Sequence, residues 1–241
     1  MTVLFLIFCN YVTSFLHRKK TWLLPLLLLL AQPALAHVID QDLSKLSRTE
    51  IFWAYLCAGF EHILQLGPDY LPLGLDHILF IISLYILEPR LKPVLWQATA
   101  FTVAHSITLG LGMYGLIAPP SEVVEPIIAL SILFVALENI ITTRLNPWRL
   151  LVVFGFGLIH GMGFASVLTG LGLPEKDFFG ALISFNVGVE LGQVTVILLC
   201  WLLIGRWAAD RPWYRCRVVV PTSVVIGLIA AYWTVERVFF A

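Results

Sequence analysis

Charge is what this sequence has least of. Lys, Arg, Asp and Glu make up 12% of its 241 residues, about half the share usual in a soluble domain. The formal net charge is zero and no basic cluster stands out. That excludes the electrostatic footprint of a nucleic-acid binder. Cysteine is scarce as well. Cys9, Cys57, Cys200 and Cys216 are isolated, and without a C-x-x-C pair a thiolate zinc site is not expected. No G-x-x-x-x-G-K-[ST] stretch is present, so nothing points to nucleotide-driven chemistry. No H-E-x-x-H is present either. What fills the chain instead is apolar, at 59% of residues. This composition predicts an all-α membrane protein with the lipid bilayer as its main partner.

Six runs are long enough, or nearly so, to cross about 30 Å of hydrocarbon as helices. They cover approximately 73–88, 94–117, 122–142, 149–171, 179–205 and 218–240. The loop cations alternate. Arg90 and Lys92 share one loop, Arg144 and Arg149 flank another, and Arg206, Arg211, Arg215 and Arg217 crowd a third. The intervening loops carry only Lys176. The positive-inside rule puts the three basic loops in the cytoplasm. A shorter run, 51–66, then cannot be a further crossing, and it reads as an interfacial or re-entrant helix on the outer face. The expected architecture is a six-helix transmembrane bundle over 73–241, in a bacterial inner membrane, with both termini outside.

The N-terminus reads as a signal peptide, 1–36. "HRKK" is a basic n-region, "TWLLPLLLLLAQP" an apolar h-region, and "ALA" a small-x-small cleavage site. "TVLFLIFCNYVTSFL" precedes the basic patch and reads as an over-extended start, the alternative being an uncleaved anchor. Cleavage leaves an external segment, 37–72, that begins at His37. A free N-terminal His offers both an amine and an imidazole to a metal.

Against this apolar background stand ionisable groups inside the spans. Such groups cost ~2.5–3.5 kcal/mol each at a helix centre on insertion scales, and they default to a functional reading. Asp76 and His77 start the first run. His105 is mid-run in "FTVAHSITLGLG", with Thr102 and Ser106 beside it. Glu138 and Asn139 lie near the end of the third run, where Glu138 can snorkel to Arg144. His160 sits between Gly157 and Gly161 in "GFGLIHGMGFA", a small-residue face suited to close helix packing. Asn186, Glu190 and Gln193 fall at i, i+4 and i+7 on one stripe. Imidazole and carboxylate without thiolate suit a borderline divalent transition metal such as Ni, Co, Zn or Cu(II). The candidate metal ligands are Asp76, His77, His105, His160 and Glu190. His62, Ser106, Glu138, Asn139, Asn186 and Gln193 are candidates for a transport path or for orienting the ligands. His37, Glu61 and Asp69 are candidates for outer capture. Neighbours on a helix diverge by ~100°, so Asp76 and His77 cannot serve the same face.

Five motifs in order, "GLDHILF", "FTVAHSITL", "EPIIALSILFVALEN", "FGLIHGMGFA" and "FNVGVELGQ", resemble the HupE/UreJ membrane proteins, in particular their second branch. The resemblance covers roughly residues 60–200. It implies a cleaved signal, about six spans and an association with hydrogenase or urease gene clusters. It also implies secondary transport of nickel or cobalt. The family's His-and-Asp motif maps onto Asp76 and His77, with His62 upstream. The His-Pro pair that precedes Gly-x-Asp-His in the fuller nickel-permease pattern is replaced here by Leu71-Pro72, a departure that bears on which metal is carried.

Three functions fit these residues. The first is an inner-membrane permease for a divalent transition metal, driven by gradients and with Glu138 or Glu190 available to couple protons. The second is an intramembrane zinc-type hydrolase, with His77, His105 and His160 as ligands and Asp76 or Glu190 as base. The third is a metal-binding accessory subunit. A polar track reaching the basic end favours the first, and a pocket open only outward favours the second.

Overall fold

The structure, a computed structural model, describes residues 47–64, 75–170 and 177–240. The expected signal peptide, His37 and Asp69 lie outside the described residues. Among the described residues every regular element is helical. In chain order these are α1 (Arg48–Leu64), α2 (Leu75–Leu87), α3 (Leu91–Met113), α4 (Ser121–Ile141), α5 (Arg149–Gly170), α6 (Phe178–Cys200) and α7 (Val220–Phe239). A π-helical turn, Trp201–Gly205, carries α6 on to Ala208, and another, Arg215–Val219, leads into α7.

The boundaries follow local chemistry. Ser47 and Glu50 form a capping box at the start of α1. The Ser47 N–H and hydroxyl both donate to Glu50 Oε2 at 2.8 Å, and the Glu50 N–H donates to Ser47 Oγ. These bonds hold the Glu50 carboxyl below the ordinary carboxylate range. At the far end of α4 the last carbonyls would be orphaned in an apolar setting. Arg215 reaches across from the π turn and donates to Thr142 O at 2.7 Å and to Ile140 O at 2.8 Å.

The senses of the helices can be read from their contacts. Thr99 meets Glu190 and Gly110 faces Leu182, so α3 and α6 are antiparallel. Glu138 meets Arg149 and Ser131 meets His160, so α4 and α5 are antiparallel. Phe101 lies at Gly157, His105 at Gly161 and Gly112 at Ala165, so α3 and α5 run the same way. Their backbones touch there. A Cβ on Gly161 would stand 2.3 Å from the His105 carbonyl oxygen, inside any real contact, so glycine is what permits the approach. The Thr108 hydroxyl pins the same seam by donating to Leu158 O at 2.6 Å.

Four helical stretches are long and apolar enough to cross a membrane: Leu91–Met113, Ser121–Ile141, Phe178–Ala208 and Arg215–Phe239. Leu75–Leu87 and Arg149–Ala165 are shorter apolar stretches. The six stretches overlap the six predicted runs; Leu75–Leu87 and Arg149–Ala165 are shorter than the four candidate crossings, and the first, at 13 residues, falls short of a full crossing by itself.

The run expected as an interfacial or re-entrant helix forms α1. It packs lengthwise along α6, with Leu56 against Gly188 and Ile63 against Gly192. A Cβ on Gly59 would stand 1.9 Å from the Phe185 carbonyl oxygen. The physical reason is an apolar face, Tyr55, Leu56, Phe60, Ile63 and Leu64, all buried, which finds a glycine-bearing partner in α6. α1 and α2 run in the same sense, since Ser83 lies at Asn139 and Asp76 lies by Arg237, which also bonds Glu125 O. The last turn of α1 and the first turn of α2 therefore meet, and they meet at histidines.

Candidate functional site: a four-histidine cluster inside the bundle

His62 from α1, His77 from α2, His105 from α3 and His160 from α5 stand together. His77 is the hub. Its ring centroid is 4.6 Å from that of His62, 5.2 Å from His160 and 6.2 Å from His105. His62 and His105 are 5.9 Å apart. All four are buried, His105 completely. Phe101 packs against His77, His105 and His160, and Phe164 and Phe185 pack against His62. An imidazole in an aromatic wall is ordinary if its nitrogens are satisfied. Here they are not. Among the described residues, His62 Nε2, both nitrogens of His77, both of His105 and Nδ1 of His160 are buried without a hydrogen-bond partner. Leaving such groups unpaired costs on the order of 1–3 kcal/mol each.

One tautomer is fixed by its neighbour. The Ser131 hydroxyl has a single proton and donates it to Ile128 O at 2.6 Å. Ser131 Oγ can then only accept from His160 Nε2, 3.0 Å away. His160 is held as the Nε2–H form, and its bare Nδ1 lone pair is the unpartnered atom. That arrangement is how proteins orient an imidazole for a metal.

The spacing suits a shared ion. With nitrogen ~2.0–2.1 Å from the metal, a ring centroid sits ~3.2 Å away, and two rings on a tetrahedral ion stand ~5 Å apart. The observed separations bracket that figure. Among the described residues, no three His, Cys, Asp or Glu donors already stand at coordination distance from one point. The rings are neighbours that small side-chain rotations would have to close.

The carboxylates predicted as ligands are engaged elsewhere. Asp76, one residue from His77, turns to α7, where Arg237 Nη2 donates to its Oδ2 at 2.8 Å. Glu190 accepts a 2.6 Å hydrogen bond from the Thr99 hydroxyl. Glu138 does not pair with Arg144. Its partner is Arg149, at 2.8 Å. Arg149, read from the sequence as a loop cation, is buried at 1% exposure. It also donates to Asn139 Oδ1 at 3.1 Å and, through Nε, to Gln97 Oε1 at 3.1 Å. Asn139 in turn donates to Ser83 O at 2.7 Å. The Ser106 hydroxyl is spent on Thr102 O. The Asn186 amide bonds Leu182 O, and Gln193 is buried with its amide unpartnered. Glu61 precedes His62 in the last turn of α1. The structure thus brings three of the predicted ligands, His77, His105 and His160, into one cluster and adds His62. It sets Asp76 and Glu138 in ion pairs toward opposite ends.

A HupE / UreJ family model matches residues 38–237, most of the chain. The chain belongs to the HupE / UreJ family. No curated protein and no solved structure offers a match. With its apolar helices and this family, the HupE / UreJ chain is a multi-pass membrane protein. The matched region takes in α1 with His62, so the fourth histidine belongs to the family's domain and is no appendage.

The sequence places His62 among residues of a transport path or residues that orient the ligands, not among the ligands themselves, and it does not reveal Gln97, Arg149 and Arg237 as partners.

Proposed function

We propose that this HupE / UreJ protein is an inner-membrane permease for a divalent transition metal, nickel or cobalt foremost, and that the four histidines are its intramembrane station. The observation that carries the reading is the set of six buried, unpartnered imidazole nitrogens on four converging helices. Neutral imidazoles are good ligands for such ions, and their affinity is tempered enough to let cargo leave. The family is one of membrane proteins generally tied to nickel and cobalt transport. The helix arrangement supports it too. The C-terminal end of α1 lies at the cluster, and the partial negative charge of a helix C-terminus favours a cation.

Toward the basic end a second polar group, Ser83, Asn139, Glu138 and Arg149, is bonded together, and this reading takes it as the exit side, with the cytoplasm at the end carrying Arg90, Arg144 and Arg211. A hydrolase is the weaker reading, because Asp76, Glu138 and Glu190 each already hold a partner. The test is uptake into sealed vesicles holding purified protein, scanned over Ni2+, Co2+, Zn2+ and Cu2+, with metal analysis alongside. Accumulation that His105→Ala abolishes supports the reading. Tight binding with no movement under any gradient overturns it.

A further inference from the structure

Two arginine–carboxylate pairs, one buried and one part-buried, bracket the histidine cluster, and they are held unequally. At the basic end Arg149 uses its guanidinium on Glu138, Asn139 and Gln97, with a longer contact to Ser83 O at 3.4 Å. At the opposite end Arg237 makes, among the described residues, two bonds, to Asp76 Oδ2 at 2.8 Å and to Glu125 O at 3.2 Å. Its guanidinium lies over the Trp233 ring, 5.5 Å from the centroid. The Arg237 side chain keeps 12% exposure, against 1% for Arg149. Asp76 Oδ1 is buried and has no partner. Four neutral imidazoles bring no negative charge, so a divalent ion among them would leave two uncompensated positive charges in an apolar interior, a costly state. The carboxylate nearest in sequence to the hub histidine is Asp76, and Arg237 is on it.

We propose that Arg237 is a tethered stand-in cation that holds Asp76 until a divalent metal arrives and then surrenders the carboxylate to it. Asp76 is then the receiving station at the mouth of the cluster, with Oδ1 as the first atom to meet the ion. Arg237 swings toward the end of α7 as the ion takes its place. The exchange keeps a positive partner on Asp76 at every stage and reduces the charge buried with the metal. It also sets a selectivity threshold, since a cation must out-compete a guanidinium for the carboxylate, which favours a divalent ion over a monovalent one. Arg237 is a positioning residue here, because it acts through Asp76 and touches no cargo. The inference rests on the metal reading of the histidine cluster.

The test is Ni2+ and Co2+ binding to the purified full chain in detergent, for wild type, Arg237→Gln, Arg237→Lys and Asp76→Asn/Arg237→Gln. Removing the competitor predicts roughly tenfold tighter binding in Arg237→Gln, a near-wild-type value in Arg237→Lys, and loss of the gain in the double variant. Equal affinity in wild type and Arg237→Gln overturns the latch while leaving the histidine site standing. Wild type that binds neither ion removes both. A measurement on wild type covers the case in which Arg237→Gln does not fold. Phenylglyoxal labelling of Arg237, followed by mass spectrometry, is predicted to rise several-fold when Ni2+ is added. Labelling that is unchanged or reduced by Ni2+ overturns the proposal.

Discussion

At the scale of single residues, the account turns on imidazole nitrogens that have nothing to bond. His77 has the most ring neighbours in the cluster and two unpartnered nitrogens. His77→Ala is therefore expected to reduce Ni2+ or Co2+ binding by two orders of magnitude or more, measured by equilibrium dialysis. His160 adds a subtler test, because Ser131 sets its tautomer. Ser131→Ala keeps all four rings but frees His160 Nε2, and the loss of an orienting hydrogen bond typically costs 10–100-fold in metal affinity. Ser131→Thr retains the hydroxyl and should restore most of it. A Ser131→Ala variant with wild-type affinity would show that the tautomer does not matter. Much of this scale was readable beforehand. A histidine inside an apolar run is conspicuous in a single sequence, and His77, His105 and His160 were found that way. Arg149 and Arg237 were not, because pairing across 11 or 161 residues leaves no mark in composition or spacing. An arginine at a helix end looks like a solvated loop cation until its partner is seen.

At the scale of elements, two glycine seams set the positions of the ligands. One joins α3 to α5 at Gly161, and the other joins α1 to α6 at Gly59 and Gly188. Gly59→Ala puts a methyl group 1.9 Å from a backbone oxygen, and overpacking of that kind costs typically ~1–3 kcal/mol. The expected result is a lowered Tm in detergent together with weaker metal binding, because α1 moves and carries His62 with it. Gly155 has nothing within 4 Å of its would-be Cβ, so Gly155→Ala should change neither. The glycines around His160 were legible as a packing face. The register of α1 on α6 was not, because a short apolar run such as 51–66 satisfies an interface, a half-crossing or a buried position equally well. Only contact with α6 decides among them. The inner pair makes a separate prediction at this scale. Breaking a buried ion pair from one side costs ~3–5 kcal/mol, whereas removing both partners is often near neutral. Glu138→Gln should be clearly destabilised, and Glu138→Gln/Arg149→Met should regain most of the lost Tm. If the double variant is as unstable as the single one, the pair is not the element that joins α4 to α5.

At the scale of the whole molecule, the buried polar groups fall into three sets along an apolar bundle. Asp76 and Arg237 stand at one end, the histidines lie between, and Glu138, Asn139 and Arg149 stand toward the end with the basic loops. Reporter fusions after Arg90, Arg144 and Arg211 are expected to report the cytoplasm, and a fusion at Ala241 the outside. An internal Ala241 would reverse the direction assigned to these sets. X-ray absorption of the Ni2+-loaded protein tests whether the four histidines together hold a divalent ion. A shared site should show nitrogen ligands at about 2.0–2.1 Å, as imidazole gives with comparable ions, together with the outer-shell scattering of several imidazole rings, and lose that scattering in His77→Ala. A shell of oxygen alone, or an imidazole signal unchanged in His77→Ala, would contradict it.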